Sequence, residues 1–188
     1  MNDTRMRRHT QWCLALLAFC AGAATSSAAV PPPPVVEHVD LERYLGDWYE
    51  IKKLPNRFQA QCAGNTMATY RARDDGRLDV INRCLTGAGN WKQANGVARV
   101  TDPLTNAKLE VSFVQLFGWN LFWGDYWILD LAPDYGYVIV GHPQRRYGWI
   151  LSRTPVLDID LDPRLRELGY DPAEFVSTRH DRDLPGRH

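Results

Sequence analysis

Residues that could carry catalysis are few and scattered. Ser112 and Ser152 have no histidine near them in an arrangement typical of a Ser-His-Asp triad. Of the five histidines, only His38 and His142 lie in the segment that we expect to fold. The sequence also lacks an H-E-x-x-H motif, a G-x-S-x-G motif and a phosphate-binding glycine loop. We therefore expect no catalytic residue, no metal site and no cofactor, and predict that the chain is not an enzyme.

The cysteines offer the other reactive chemistry. Four are encoded, and Cys13 and Cys20 lie in the N-terminal segment that we expect to be removed or anchored. Cys62 and Cys84 remain, and they flank a predicted hairpin. In an oxidising compartment we expect them to form a disulfide, which stabilises a fold by roughly 2–4 kcal/mol. The alternatives are a reactive thiol or a metal site, although two cysteines without clustered histidines argue against the metal.

The charge balance restricts the partners. The 188 residues suffice for one domain, and 22 basic residues balance 22 acidic ones. A nucleic-acid partner is not expected, because phosphate binding needs a basic excess. After the N-terminus no apolar run is long enough to predict a membrane-spanning helix.

The N-terminus has the pattern of an export signal. Arg5, Arg7 and Arg8 precede an apolar stretch at 12–24, and small residues at 27–29 fit a signal-peptidase site. We predict a cleaved signal peptide at residues 1–29 and a periplasmic or secreted protein. The alternative is outer-membrane anchoring through a lipidated Cys20, but the bulky Phe19 before it departs from the lipoprotein pattern.

Hydrophobic periodicity beyond the signal predicts strands. A proline-rich linker at 30–35 precedes a folded domain at 36–179, and a polar tail covers 180–188. Alternating patterns separated by turn residues predict eight strands. These strands are 48–54, 66–73, 77–84, 91–100, 108–113, 126–131, 137–140 and 149–153. Such an antiparallel meander protects its edges by closing into a barrel. The fold class is therefore all-β.

Helical signals occur on both sides of the strands. Asp40 is placed to cap a single helical turn ended by Gly46. After the eighth strand, Asp162 as cap, Pro163 at the first position and Gly169 at the end predict one α-helix. Its leucines should pack on the outside of the barrel. Residues 175–179 are expected to add a short last strand.

Three blocks in this order resemble the lipocalin family. Residues 45–50 (LGDWYE) resemble its G-x-W signature, in the form found in the branch of bacterial outer-membrane lipocalins and apolipoprotein D. Residues 74–82 (DDGRLDVIN) resemble the second hairpin of that branch, and residues 149–155 (WILSRTP) resemble its third motif. The second motif is matched more loosely, by Asp130, Tyr135 and Tyr137. The resemblance implies an eight-stranded up-and-down barrel with one open end.

The resemblance also implies roles for the motif residues and a class of ligand. Gly46, Trp48 and Arg153 would be structural residues of the closed end, with the guanidinium stacked on the indole at about 0.5–2 kcal/mol. The interior would bind, transport or store a fatty acid, lysophospholipid or similar lipid, in cell-envelope lipid maintenance. Arg57 near the mouth could meet a phosphate or carboxylate head, or be a solvated loop charge.

Strand alternation suggests which side chains line the interior. Leu109, Val111 and Phe113 share one face of a cleanly alternating strand. The other assignments depend on register, because a slip of one residue turns every side chain around. The candidate ligand-binding residues are Phe58, Met67, Val80, Asn82, Trp91, Leu109, Val111, Phe113, Phe117, Trp119, Trp123, Tyr126 and Ile128.

The segment 116–123 concentrates aromatic residues in a turn-like stretch, which is unusual for a surface turn. Its rings could fill the barrel's mouth, form an apolar portal for the ligand, or contact a membrane or another protomer. The alternative function is therefore an interaction protein that uses this segment for membrane contact or dimerisation. We expect a monomer or a homodimer.

Overall fold

The structure is a computed structural model that describes residues 30–181. The predicted signal peptide with Cys20, and residues 182–188 of the predicted tail, lie outside the described residues. Within 30–181, no helix has the length and apolar character needed to cross a membrane.

Eleven strands and two α-helices follow one another within residues 30–181. Helix α1 covers Leu41–Tyr44 and α2 covers Asp162–Glu167. The strands are β1 Gly46–Lys53, β2 Cys62–Ala72, β3 Leu78–Thr86, β4 Trp91–Val100, β5 Lys108–Ser112, β6 Val114–Leu116, β7 Trp119–Leu121, β8 Gly124–Leu131, β9 Tyr137–Gly141, β10 Gly148–Ser152 and β11 Val176–Ser177. Short 3₁₀ turns lie at Arg57–Gln59 and Pro172–Glu174.

Eight of the strands form a closed antiparallel barrel. The sheet runs from β1 through β2, β3, β4, β5, β8 and β9 to β10, and β10 pairs back with β1. Closure leaves the barrel without an open edge, which removes the template for aggregation that a long exposed edge strand would present. The predicted fold class is confirmed, and all eight predicted strands are present.

The strand connections alternate between the two ends of the barrel. Connections 73–77, 101–107 and 132–136 lie at the end covered by α1, where Val39 donates its N–H to Thr105 and its carbonyl accepts from Asn106. We call this the closed end. Connections 54–61, 87–90, 113–123 and 142–147 lie at the opposite end, which we call the open end.

Two apolar clusters occupy the two sides of the barrel wall. The inner cluster contains Trp48, Tyr70, Leu109 and Ile128. The outer cluster forms where α2 and the chain after it cover β1, β8, β9 and β10, with Leu165 fully buried. This confirms that the predicted C-terminal helix packs outside the barrel.

The helix boundaries follow local capping. Asp40 accepts hydrogen bonds from the N–H groups of Glu42 and Arg43, so the predicted cap of α1 is confirmed. The cap assigned to Asp162 is wrong, because α2 begins at Asp162 itself and Leu161 precedes it without a side-chain cap. Gly169 ends α2 with a φ of +81°, a conformation that favours glycine.

A C-terminal segment fills a seam between β1 and β2. The β1–β2 ladder ends at Tyr49 and Met67, and beyond it β11 pairs with Lys52 and Lys53 of β1. On the other side of the seam, Asn65 donates its N–H to the carbonyl of Arg179. The ordered wall therefore extends to Asp181, past the predicted start of a loose tail at His180.

Strands β6 and β7 form a separate two-stranded hairpin between β5 and β8. Its two-residue turn, Phe117–Gly118, has φ values of 48° and 82°. Two positive φ values are typical of the type I′ hairpin turn. The predicted turn-like aromatic stretch is therefore a hairpin with its own hydrogen bonds.

Candidate functional site

The closed end is plugged by Trp48. Its side chain is fully buried, and its indole N–H donates to the Tyr44 carbonyl over 2.9 Å. The Arg153 guanidinium lies 3.8 Å from the centre of the Trp48 rings and donates to the carbonyls of Arg43 and Asp47. A cation–π contact with this geometry contributes about 0.5–2 kcal/mol. These contacts join α1 to the barrel, and the predicted stacking of the guanidinium on the indole is present.

Small side chains line one part of the inner wall. The β3–β4 ladder pairs Asn82 with Ala94, Val80 with Gly96 and Leu78 with Ala98, and all of these positions face inward. Residues paired directly across an antiparallel ladder share a face. Alanine and glycine therefore keep the side chains of this part of the inner wall short.

Burial changes along this wall. Ala98 is 3% exposed near the closed end, whereas Ala94, on the same inner face, is exposed. Asn82, opposite Ala94, keeps partial exposure. The side chains are therefore packed at the closed end and exposed towards the open end, where residues 91–96 of β4 pair with β3 alone. We call the interior above the packed closed end the cup.

Six of the predicted ligand-binding residues face the interior. Leu109, Val80 and Ile128 are buried in the inner cluster, and Val111 and Tyr126 pack against it. Asn82 shares their face of the sheet. Their inward orientation confirms the strand alternation on which the assignment rested, and their contact with a ligand stays a prediction.

Met67 and Trp91 face outward, and the prediction that they line the cup is wrong. Ala68 lies on the inner face of β2, so its neighbour Met67 points to the other side, beside Arg83. The uninterrupted β3–β4 ladder likewise pairs Trp91 with Leu85 on the outer face. Trp91 is 48% exposed there. Both errors are shifts of one residue in register.

The aromatic residues of the β5–β8 connection also lie away from the cup. The outward-facing hydroxyl of Ser112 donates to the Leu121 carbonyl, so the hairpin turns away from the interior. Phe117 is 93% exposed and Trp119 is 75% exposed. The Trp123 rings lie 4.1 Å from the guanidinium carbon of Arg99, on the outer face. The prediction that Phe117, Trp119 and Trp123 line the cup is therefore wrong.

Two further predicted residues lie near the open end. Phe113 occupies the space that a Cβ on Gly96 would need, with its Cδ1 2.7 Å from that position. Any larger residue at position 96 would collide with this ring, which lies close to the β4 backbone. Phe58 is 57% exposed on the first open-end connection, and its ring centre lies 5.6 Å from that of Tyr147.

Glu50 is bonded into the wall. Its side chain is 3% exposed and lies 3.0 Å from the Lys53 ammonium group. One carboxylate oxygen accepts from Thr178 and the other from Gln59. Gln59 in turn accepts from the Trp149 indole N–H. The network joins β1, the first open-end connection and the C-terminal segment, so Glu50 has a structural role.

The sequence analysis missed a cluster of three tyrosines, of which Tyr44 and Tyr70 are buried and Tyr126 is half-buried. Tyr44 from α1 and Tyr70 from β2 each place their hydroxyl oxygen 2.7 Å from that of Tyr126 in β8. Burial raises the pKa of Tyr70 to about 12, and it raises the pKa values of Tyr44 and Tyr126 well above their ordinary range. All three are neutral near pH 7. The alternation of Ala68 and Tyr70 with Met67 and Thr69 was the sequence signal that could have placed Tyr70 inside.

Cys62 and Cys84 form a disulfide, with their Cα atoms 5.5 Å apart. The bond ties the start of β2 to the end of β3 near the open end. Of the alternatives for these cysteines, the predicted disulfide is the one that the structure contains.

Comparisons with known proteins agree on one family. A family model described as a lipocalin-like domain matches residues 39–180. The chain is 39% identical over 167 residues to the outer membrane lipoprotein Blc of Escherichia coli K12, covering 86% of this chain and 91% of that protein. It is 33% identical over 157 residues to mouse (Mus musculus) apolipoprotein D, covering 77% and 78% of the two chains.

Solved structures show the same fold. Insecticyanin from the tobacco hornworm Manduca sexta has a TM-score of 0.61 and 24% identity, over 82% of this chain and 86% of that one. Apocrustacyanin C2 has a TM-score of 0.58 and 18% identity, over 76% and 81% of the two chains. The closed barrel, the Trp48–Arg153 plug and the matched sequences together establish that this chain belongs to the lipocalin family.

Proposed function

We propose that the protein binds a small hydrophobic or amphiphilic molecule, such as a fatty acid or lysophospholipid, inside the cup. The observation that carries this proposal is the apolar inner cluster, against which Val111 and Tyr126 pack while they keep partial exposure. Burying an acyl chain contributes about 0.8 kcal/mol per CH₂ group. An apolar cup can therefore bind a long chain without special polar chemistry. Membership of the lipocalin family supports the same proposal.

We further propose an exported protein with a role in lipid maintenance of the cell envelope. The outer membrane lipoprotein among its relatives and the Cys62–Cys84 disulfide support this localisation.

Native mass spectrometry and lipid extraction of the protein purified from its own compartment would test the binding proposal. A stoichiometric fatty acid or phospholipid would support it and identify the head group. An empty protein that also fails to displace an acyl-chain fluorophore would contradict it. Because Val111 faces the interior and keeps partial exposure, Val111→Trp should weaken fluorophore binding by filling the cup. Leu104→Trp, at an 87% exposed closed-end position, is the matched control.

A second candidate function is docking of the open end on an anionic membrane. The hairpin exposes Leu116, Phe117 and Trp119, and Phe122 beside it is 82% exposed. Residues 113–124 contain no charged side chain. An exposed apolar patch of this kind marks an interaction site, and tryptophan favours the membrane interface.

The charged residues of the open end favour an anionic lipid surface as the partner of this patch. The four open-end connections contain Arg57, Arg145 and Arg146 and no carboxylate. The three closed-end connections contain four aspartates and two arginines. Basic residues near an anionic membrane contribute about 1 kcal/mol each. The open end therefore combines apolar rings with the charge that suits anionic phospholipids.

Sedimentation with phosphatidylglycerol-containing vesicles would test the docking. The double variant Phe117→Ser/Trp119→Ser should bind them at least about tenfold more weakly, while Leu104→Ser should bind like the parent protein. A double variant that sediments unchanged would contradict membrane docking. A change in oligomeric state without vesicle binding by the parent protein would instead assign the hairpin to contact between two copies.

A further inference from the structure

The tyrosine cluster at the floor of the cup contains one more hydroxyl donor than it has hydrogen bonds. Tyr44, Tyr70 and Tyr126 carry three hydroxyl protons, but only two hydrogen bonds join their oxygens. Among residues 30–181, the three hydroxyls make no other hydrogen bond. One O–H donor therefore lacks a protein acceptor in this part of the chain. A buried donor left without a partner costs about 1–3 kcal/mol.

The geometry indicates which hydroxyl carries the spare proton. Tyr126 is the shared member, and its oxygen can accept from both neighbours and donate its own proton elsewhere. Tyr44 is 1% exposed and Tyr70 is 4% exposed, whereas Tyr126 keeps partial exposure. Tyr126 also lies on the inward face of β8, two residues before the fully buried Ile128. The spare donor is therefore best placed on Tyr126, at the boundary between the floor and the cup.

The surroundings of this donor select a neutral acceptor. Leu109 lies opposite Tyr126 in the β5–β8 ladder, and the inner cluster around it is apolar. Burial raises the pKa values of all three hydroxyls because a charge is poorly solvated there. The same effect disfavours a charged carboxylate or phosphate at the floor. The open-end arginines are the better partners for an anionic head.

We propose that Tyr126 donates a hydrogen bond to a neutral oxygen atom at the leading end of the bound ligand. The ligand is then an amphiphile with oxygen at both ends. A hydroxyl, carbonyl or ester oxygen lies on the floor, and the more polar head lies towards the mouth. The proposal rests on the proposed lipid binding and adds to it a site that distinguishes oxygenated from plain acyl chains.

A pair of probes that differ in one hydroxyl tests this site. Hexadecanoic acid and its ω-hydroxy derivative share the same head and chain length, and only the second carries a neutral oxygen at the far end. The parent protein should bind the ω-hydroxy acid at least as tightly as the plain acid. A purely apolar floor would bind it about tenfold or more weakly, since a buried hydroxyl without a partner is unfavourable.

Variants assign the preference to Tyr126. Tyr126→Phe leaves the hydroxyls of Tyr44 and Tyr70 without their partner, but these side chains are only 1% and 4% exposed. The ratio of the two dissociation constants should therefore still shift at least about tenfold towards the plain acid. Tyr70→Phe is the matched control, because it leaves Tyr44 and Tyr126 bonded with a spare proton and should keep the preference. Thermal unfolding and binding of the plain acid establish that each variant is folded.

The outcomes separate the two proposals. If the parent protein and Tyr126→Phe both favour the plain acid to the same degree, the floor site is wrong and lipid binding stands. If neither acid binds the parent protein, both proposals fail. If Tyr70→Phe loses the preference while Tyr126→Phe keeps it, the donor has been assigned to the wrong tyrosine and the proposal as stated is overturned.

Discussion

The two ends of the barrel are held together by different interactions. At the closed end, the buried Trp48 packs between Tyr44 and the Arg153 guanidinium. At the open end, the Cys62–Cys84 disulfide and the polar network of Glu50 join segments that do not share a packed core. The closed end thus resembles an ordinary protein interior. The open end is instead joined by a disulfide and by polar contacts of Glu50 and Gln59.

The largest expected effect comes from removing the closed-end plug. Trp48→Ala should lower the free energy of unfolding by about 3–5 kcal/mol, because it leaves a large cavity and deprives Arg153 of its stacking partner. Chemical denaturation gives the value. Trp91→Ala, on the exposed outer face, should change it by less than about 1 kcal/mol. Equal losses in the two variants would remove the distinction between plug and surface tryptophans.

Breaking the Glu50 network should have the next largest effect. Glu50→Ala leaves the nearly buried Lys53 without its carboxylate and frees Thr178 and Gln59. Removing one partner of a buried ion pair typically costs about 3–5 kcal/mol. We expect a loss at the low end of that range, together with faster proteolysis after residue 175. The exposed Glu37→Ala serves as control, and a stable Glu50→Ala would show that the rim does not depend on this carboxylate.

Removing the disulfide should have the third largest effect on stability. Replacing Cys62 and Cys84 together by serine should reduce the free energy of unfolding by about 2–4 kcal/mol. Differential scanning calorimetry of the double variant, compared with the oxidised parent protein, measures the loss. Hydrogen exchange should increase more at the open ends of β2 and β3 than around Trp48. Uniform exchange along both strands would mean that the two ends are not independent.

The smallest effect is a pH dependence at the open end. Burial lowers the pKa of His142 in the folded protein, and the Asp125 carboxylate 3.6 Å away opposes this only in part. The unfolded chain therefore binds the proton first, and stability should fall as the pH drops below about 6.5. We expect a loss under about 1 kcal/mol that His142→Gln abolishes and that exposed His38→Gln retains. Denaturation midpoints measured between pH 7 and pH 5.5 would detect it, and a pH dependence unchanged in His142→Gln would rule it out.

The same contrast explains how much the sequence could predict. At the closed end, the Asp40 cap followed from residue type, and the contact between Trp48 and Arg153 was implied by the resemblance to the lipocalin family. The open end depends on register, and Met67 and Trp91 were assigned to the wrong face because strand residues alternate.

Other features of the site depend on contacts between distant segments. No local pattern brings Tyr44, Tyr70 and Tyr126 together, because three separate elements contribute them. The β6–β7 hairpin did carry a local signal, since two short apolar runs separated by a two-residue turn ending in Gly118 are typical of one. Because the segment is rich in aromatic residues, it was interpreted as a contact surface and not as a hairpin.

The segment laid into the seam between β1 and β2 also determines when the barrel can be completed. Thr178 bonds to Ile51 and Arg179 bonds to Asn65, more than a hundred positions earlier in the chain. Because these contacts join the last part of the wall to the first, a chain still being synthesised cannot finish its barrel. Folding dominated by such non-local pairing is slow. The protein should therefore acquire its cup only after its C-terminal residues have emerged, and a shortened chain would keep a gap along its side.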